Sequence, residues 1–362
     1  MALGYLRMAG ESIVGNETNS PTLATAQCYP PLLSWENNPG FSHLMRDDEL
    51  RNLDEPLSAF VEAADPSWSL ETRMYPNTLG YLLSYMLGAP TTTAGNGVIT
   101  DPGATVIPVG AYRHVWTAPF GPTGSEPKTF QADASYKDQT TYFKLKGCAT
   151  SALSIETPDT GGARVKASGP ALYMVRGADP ALTPTFETIT VTPFTKPMLT
   201  LSAWLSSTAD FEDFSIALDN PVTPVHSGGS ASRWPDKCYK GDSPITLTGS
   251  VPKNLIDSDD YDALVSATGF AATAKWTSTS IIASGYPYKL FIEMSNCQYV
   301  DGGPRALSNS RRIGADFSFK ATRSASASDD HPRQYGHLLQ LGVRRITLEC
   351  RHGTSCLRLW LW

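Results

Sequence analysis

Trp68-Ser-Leu-Glu-Thr-Arg-Met-Tyr75 runs straight into Pro76-Asn-Thr-Leu-Gly-Tyr-Leu-Leu-Ser-Tyr-Met-Leu87, which Gly88 and Pro90 close. In the first part apolar and polar residues alternate, the period of a strand with one buried face. The second part is a helix: Asn77 or Thr78 can cap its start, and Gly88 supplies its stop. One strand feeding one helix, inside a chain otherwise rich in turn residues, predicts a mainly β protein with a flanking helix.

The same order returns later. Phe214-Ser-Ile-Ala-Leu-Asp-Asn-Pro221 echoes Ser34-Trp-Glu-Asn-Asn-Pro39, and Ile245-Thr-Leu-Thr-Gly-Ser-Val251 echoes Trp68 to Met74. A second helix is expected at Asp259–Ala267, ended by Gly269, with Leu264-Val265-Ser266 standing where Leu82-Leu83-Ser84 stands. Strands containing Phe130 and Trp276 follow. Tyr142–Cys148 resembles Phe291–Cys297, both ending on Cys, and Ala163–Ser168 resembles Asp316–Ala321. Strand, strand, helix, strand, strand, strand therefore occurs twice, which predicts two tandem modules.

The chain divides into four segments. Residues 1–27 read as an N-terminal arm, without period from Gly15 to Thr25. The first module spans 28–205 and includes a long Gly/Pro/Thr-rich loop at 89–127. Further strands are expected at Leu32–Asn38, Thr129–Tyr136, Ala171–Arg176 and Thr188–Thr192. The second module spans 206–325. Residues 326–362 form a tail of different character: from His331 onward there are five Arg against one Glu and three of the six His.

Composition narrows the function classes. Of the 362 residues 41% are hydrophobic, enough for a large core, and only 18% are charged. The net charge of −6 argues against a general nucleic-acid binder, which needs a basic surface. No apolar run of membrane-spanning length is present, and Met1–Gly10 lacks the apolar centre of a secretion signal. The six cysteines are too sparse for a disulfide framework and are expected to be reduced.

Motifs that carry chemistry are missing. Asp257-Ser-Asp-Asp-Tyr-Asp262 lacks the glycine and distal glutamate of a calcium loop and reads as favourable charge at a helix start. Cys350, His352 and Cys356, with His331 and His337, match no zinc spacing. His43, His114 and His226 have no nucleophile elbow to serve. Trp68, Trp204, Trp276 and Tyr142 read as packing residues before a sugar-stacking platform. No catalytic, cofactor-binding or metal-ligating residue is assigned, and the chain is not expected to be an enzyme.

These patterns resemble the major tail tube proteins of long-tailed, siphovirus-type bacteriophages. The resemblance rests on the arm before Tyr29-Pro-Pro-Leu32, the Trp68–Gly88 strand–helix unit and Tyr142-Phe-Lys-Leu-Lys-Gly-Cys148 with Leu153-Ser-Ile155. It rests also on Phe214–Asn220, Thr246-Leu-Thr-Gly249 and Ala315-Asp-Phe-Ser-Phe-Lys-Ala321, so it covers roughly 10–325. It implies β-sandwich or barrel-like modules, six to a ring: trimeric rings if the chain is duplicated, hexameric rings otherwise. It also implies stacked rings that conduct DNA at ejection without binding it specifically, with the tape-measure protein and tail terminator as partners. The setting implied is the virion tail, assembled in the host bacterial cytoplasm, with no membrane. The alternatives are another virion β-protein (decoration or minor tail component) and a carbohydrate-binding β-sandwich or glycosidase.

Overall fold

The computed structural model describes residues 3–44, 60–116, 126–136, 142–177, 191–202, 211–227, 232–241, 246–253, 258–304, 315–321 and 343–351, with the single positions 182 and 184. The fold is mainly β, with antiparallel pairing throughout. In chain order the first elements are β1 (Leu3–Ile13), β2 (Thr22–Cys28), β3 (Leu32–Asn38), β4 (Phe41–Leu44), β5 (Phe60–Ala64), β6 (Ser67–Arg73) and helix α1 (Pro76–Leu87). Then come β7 (Thr91–Ala94), β8 (Ala111–Trp116), β9 (Thr129–Tyr136), β10 (Tyr142–Ala149), β11 (Ala152–Thr157), β12 (Arg164–Pro170) and β13 (Tyr173–Gly177). A 3-10 turn leads into β14 (Leu199–Ser202), followed by β15 (Phe214–Asp219), β16 (Val222–Val225), β17 (Lys237–Lys240), β18 (Thr246–Lys253) and α2 (Ser258–Ser266). The last are β19 (Phe270–Ala283), β20 (Tyr286–Pro304), β21 (Ala315–Ala321) and β22 (Val343–Arg351).

One sheet has five strands, in the order β13-β10-β9-β1-β2. A second runs β3-β6-β12-β11-β15-β18-β21-β20-β22-β8-β7, with β14 and β19 attached through β20. Two hairpins, β4–β5 and β16–β17, lie apart from both.

Within the long sheet a pairing order occurs twice. β3, β6, β12 and β11 pair in series, and so do β15, β18, β21 and the C-terminal part of β20. A helix follows the second strand each time. β9 pairs with β10 and β19 with β20, and each pair sets a cysteine opposite a phenylalanine: Cys148 by Phe130, Cys297 by Phe270. β1 flanks β9 as β14 flanks β19, and β13 flanks β10 as β22 flanks β20. The residue-by-residue matches read from the sequence are out by one in places. Aligning Ala163 with Asp316 sets Val165, buried, against Ser318 on the opposite face; Ala315, Phe317, Phe319 and Ala321 are the buried residues of β21. A slip of one residue exchanges the faces of a strand.

Two expectations are corrected. Residues 1–27 are no detached arm: β1 lies inside the five-stranded sheet, between β9 and β2. Arg7 holds it there, donating from Nε to Asp133 Oδ2 at 2.8 Å beneath the sheet surface. Asp133 is fully buried and also accepts from Gln131 Nε2 and Tyr142 OH, so the charge is paired on every side. Nor is 89–127 a plain loop, since β7 and β8 form a hairpin there whose β8 pairs with β22. Its connecting turn is pinned by Asp101, which accepts from Lys289 Nζ at 2.5 Å, Tyr286 OH at 2.8 Å and the Thr105 amide at 2.8 Å. Burial alone would raise this carboxyl; those hydrogen bonds and the Lys289 charge outweigh it and hold it below the usual carboxylate range.

The helix at 76–87 forms as expected, but its start differs. Tyr75 is the N-cap and makes no side-chain cap bond; Pro76 begins the helix, where a missing amide costs nothing. Gly88 ends it at φ 87°, its amide bonded to Ser84 O. Thr188–Thr192 falls mostly outside the described residues, and 191–192 are not strand.

Candidate assembly edges

Sheet strands with an unpaired side are the surfaces a β protein must cover, charge or use. Among the described residues, β3 pairs only with β6, and the Gln298–Pro304 part of β20 pairs only with β21. The equivalent side of β11 is not open: β11 pairs with β15, bringing Leu153 opposite Leu218 and Ile155 opposite Ile216. That joint fuses the two repeats of pairing order into one sheet.

The two open sides share local features. Each strand is irregular near its open run, between Leu32 and Ser34 in β3 and between Tyr299 and Asp301 in β20. Each irregularity turns an aliphatic residue outward: Leu33 is 46% exposed and Val300 58%. On β3 the indole Nε1 of Trp35 and the amide Nδ2 of Asn37 are shielded from solvent and have no hydrogen-bond partner among the described residues. A buried donor without an acceptor costs about 1–3 kcal/mol.

The faces of the long sheet differ sharply. One carries Trp68, Leu70, Ile155, Val165 and Ile216, all buried. The other is small and polar, with a shallow groove over β3, β6, β11, β12 and β15 lined by Ser34, Glu36, Ser69, Glu71, Ser154 and Lys166. Its charges alternate in sign and pair across strands: Arg164 Nη1 with Glu71 Oε1 at 3.0 Å, and Lys166 Nζ with Glu156 Oε1 at 2.8 Å. It offers no basic stripe of the kind phosphate binding needs.

Asp259 and Asp260 lie in the first turn of α2, and Asp260, buried, accepts from Tyr299 OH at 2.9 Å; Asp257 lies outside the described residues. His114 is buried, its Nδ1 2.8 Å from Thr92 Oγ1. His226 Nε2 stands 2.9 Å from Asp65 at the surface, and His43 lies in β4. Trp68, Trp276 and Tyr142 are core residues, while Trp204 lies outside the described residues, as do His331, His337, His352 and Cys356. Cys28, Cys148, Cys238 and Cys297 are buried and unbridged, and burial pushes the Cys238 and Cys297 thiols up to about 12. No cluster that could hold a metal ion is found among the described residues. What sequence reasoning did not find is these open sides of β3 and β20. Only pairing reveals them, though the outward Leu33 was legible as an apolar residue out of phase.

A mainly β chain with a repeated strand order and open strand sides is the form expected of a subunit that continues its sheet into a neighbour. Residues 2–321 match the family described as phage tail tube protein. The chain belongs to that family. It is accordingly a structural component of the virion tail that self-assembles into a tube. No curated protein matches it. Among the described residues no helix is long and apolar enough to cross a membrane.

Proposed function

We propose that this tail tube protein polymerises into closed rings of three chains, that the rings stack, and that their bore is the conduit for DNA at ejection. The carrying observation is the twofold pairing order, β3-β6-β12-β11 and β15-β18-β21-β20, joined through β11 and β15. It supports a duplicated chain, with a second module that includes β14, so that three copies supply six modules. Head-to-tail contacts between identical copies form a ring when their rotation closes.

The small, polar face of the long sheet suits the bore. Helices and the five-stranded sheet pack on the opposite face, and mixed, mutually paired charge lets a polyanion pass without holding it. The non-enzymatic role, assembly in the bacterial cytoplasm, and the tape-measure and terminator proteins as partners belong to the same reading. Negative-stain images of the purified chain test it. Uniform hollow tubes with three chains per ring are expected. Six chains per ring would refute the duplication, and a monodisperse monomer at high concentration would refute the tube.

A further inference from the structure

We propose that the open side of β20 in one copy pairs antiparallel with the open side of β3 in the next, repeating between chains the β11–β15 joint made within one. The inference rests on the ring reading above and names the contact that closes the ring.

Three observations carry it. First, the pairing order makes β3 the counterpart of β15 and the end of β20 the counterpart of β11, and of the eight strands in that order these two lack a second partner among the described residues. If copies follow one another as the two repeats do, the missing partners are each other. Second, the side of β3 turned away from β6 carries backbone N–H and C=O groups with no ladder partner among the described residues. A strand laid along β3 brings carbonyl acceptors to that edge. Third, the helices differ as the joint requires. α1 lies against β11 and reaches β8, β20 and β22 across the joint, and is buried along nearly its whole length. α2, at the open end, packs on β20 and leaves Tyr261 50% and Val265 69% exposed. The β10–β13 side of the next copy would cover them, as β20 and β22 cover α1.

Paired cysteines test the joint in the full chain. Gly303→Cys is combined in turn with Ser34→Cys, Glu36→Cys and Asn38→Cys. A Cβ at Gly303 meets nothing within 4 Å, and the three β3 positions are exposed on one face, two residues apart, covering the possible registers. After mild oxidation of assembled tubes, one combination is expected to give a ladder of covalent dimers and trimers on a non-reducing gel. It should exceed each single variant at least tenfold. Normal tubes without a ladder in any combination would overturn the joint and leave the tube reading intact. Failure of the unmodified chain to form tubes would overturn the tube reading itself. Hydrogen exchange on unmodified tubes provides a second measurement, independent of the variants. Amides in 32–38 and 298–304 should exchange at least tenfold more slowly than in the unassembled chain; unchanged rates in both segments would overturn the joint.

Discussion

The two helices follow corresponding strands and have opposite surroundings. α1 is apolar on all sides, and every residue but Asn77 is buried. Tyr85 stacks on Phe130 with centroids 4.6 Å apart, and Trp116 Nε1 donates to Ser84 Oγ at 3.2 Å. α2 buries only Asp260 and Ala263 fully and begins with acidic residues that suit a helix N-terminus. A helix apolar all round needs neighbours on all sides. α1 has them within the chain, because the second half of the molecule closes over it; α2, among the described residues, packs on β20 on one side only. One helix therefore stabilises the fold, and the other is the helix that the proposed joint would cover.

This contrast can be broken where α1's surroundings are tied together. Asp101→Ala leaves Lys289, buried within β20, without its carboxylate partner and should cost about 3–5 kcal/mol in urea unfolding. Its pH signature follows from the lowered carboxyl. Asp101 adds stability above the carboxylate value of the unfolded chain, and that contribution is lost as pH falls through the lower folded value. Asp101→Asn should therefore flatten the acid limb of the stability curve.

Leu82→Ala, at a fully buried position of α1, should cost about 2–5 kcal/mol by the same measurement. Val265→Asp in α2 sharpens the contrast from the other side. Subunit stability should stay within about 0.5 kcal/mol of the unmodified chain, while the concentration needed for tube formation, read by sedimentation, rises about tenfold, or ~1.4 kcal/mol per contact. A large loss of subunit stability here would erase the difference between the helices. Smallest is Arg164→Ala on the polar face, where loss of the Glu71 pair should change stability by about 0–1 kcal/mol.

The sequence carried the elements whose pattern is local. Leu32–Asn38 and Thr129–Tyr136 match β3 and β9 residue for residue, and both helices stand within a residue of their expected ends. β1 was not legible because its logic is non-local. Gly4, Arg7 and Gly10 interrupt its apolar residues, yet Arg7 is answered by Asp133, 126 positions away, and the space at Gly10 lies 3.5 Å from the Tyr85 ring. β7 and β8 hid among glycines and prolines for a similar reason, since the strand that receives β8 comes from residues 343–351. The open strand sides were out of reach in principle: a strand's residues fix its faces, but its open side is known only once every partner is placed.

The β7–β8 hairpin occurs once per chain. Between α1 and β9 the chain spends about forty residues; between α2 and β19 it spends three, Ala267–Gly269. Two modules alike in pairing order are thus marked differently on their flanks. In a three-chain ring the hairpins fall at every second module, like teeth cut at alternate positions of a wheel. A bore with six similar sectors would then sit inside a rim with only three, and a ring placed on another would have three equivalent settings to choose from instead of six.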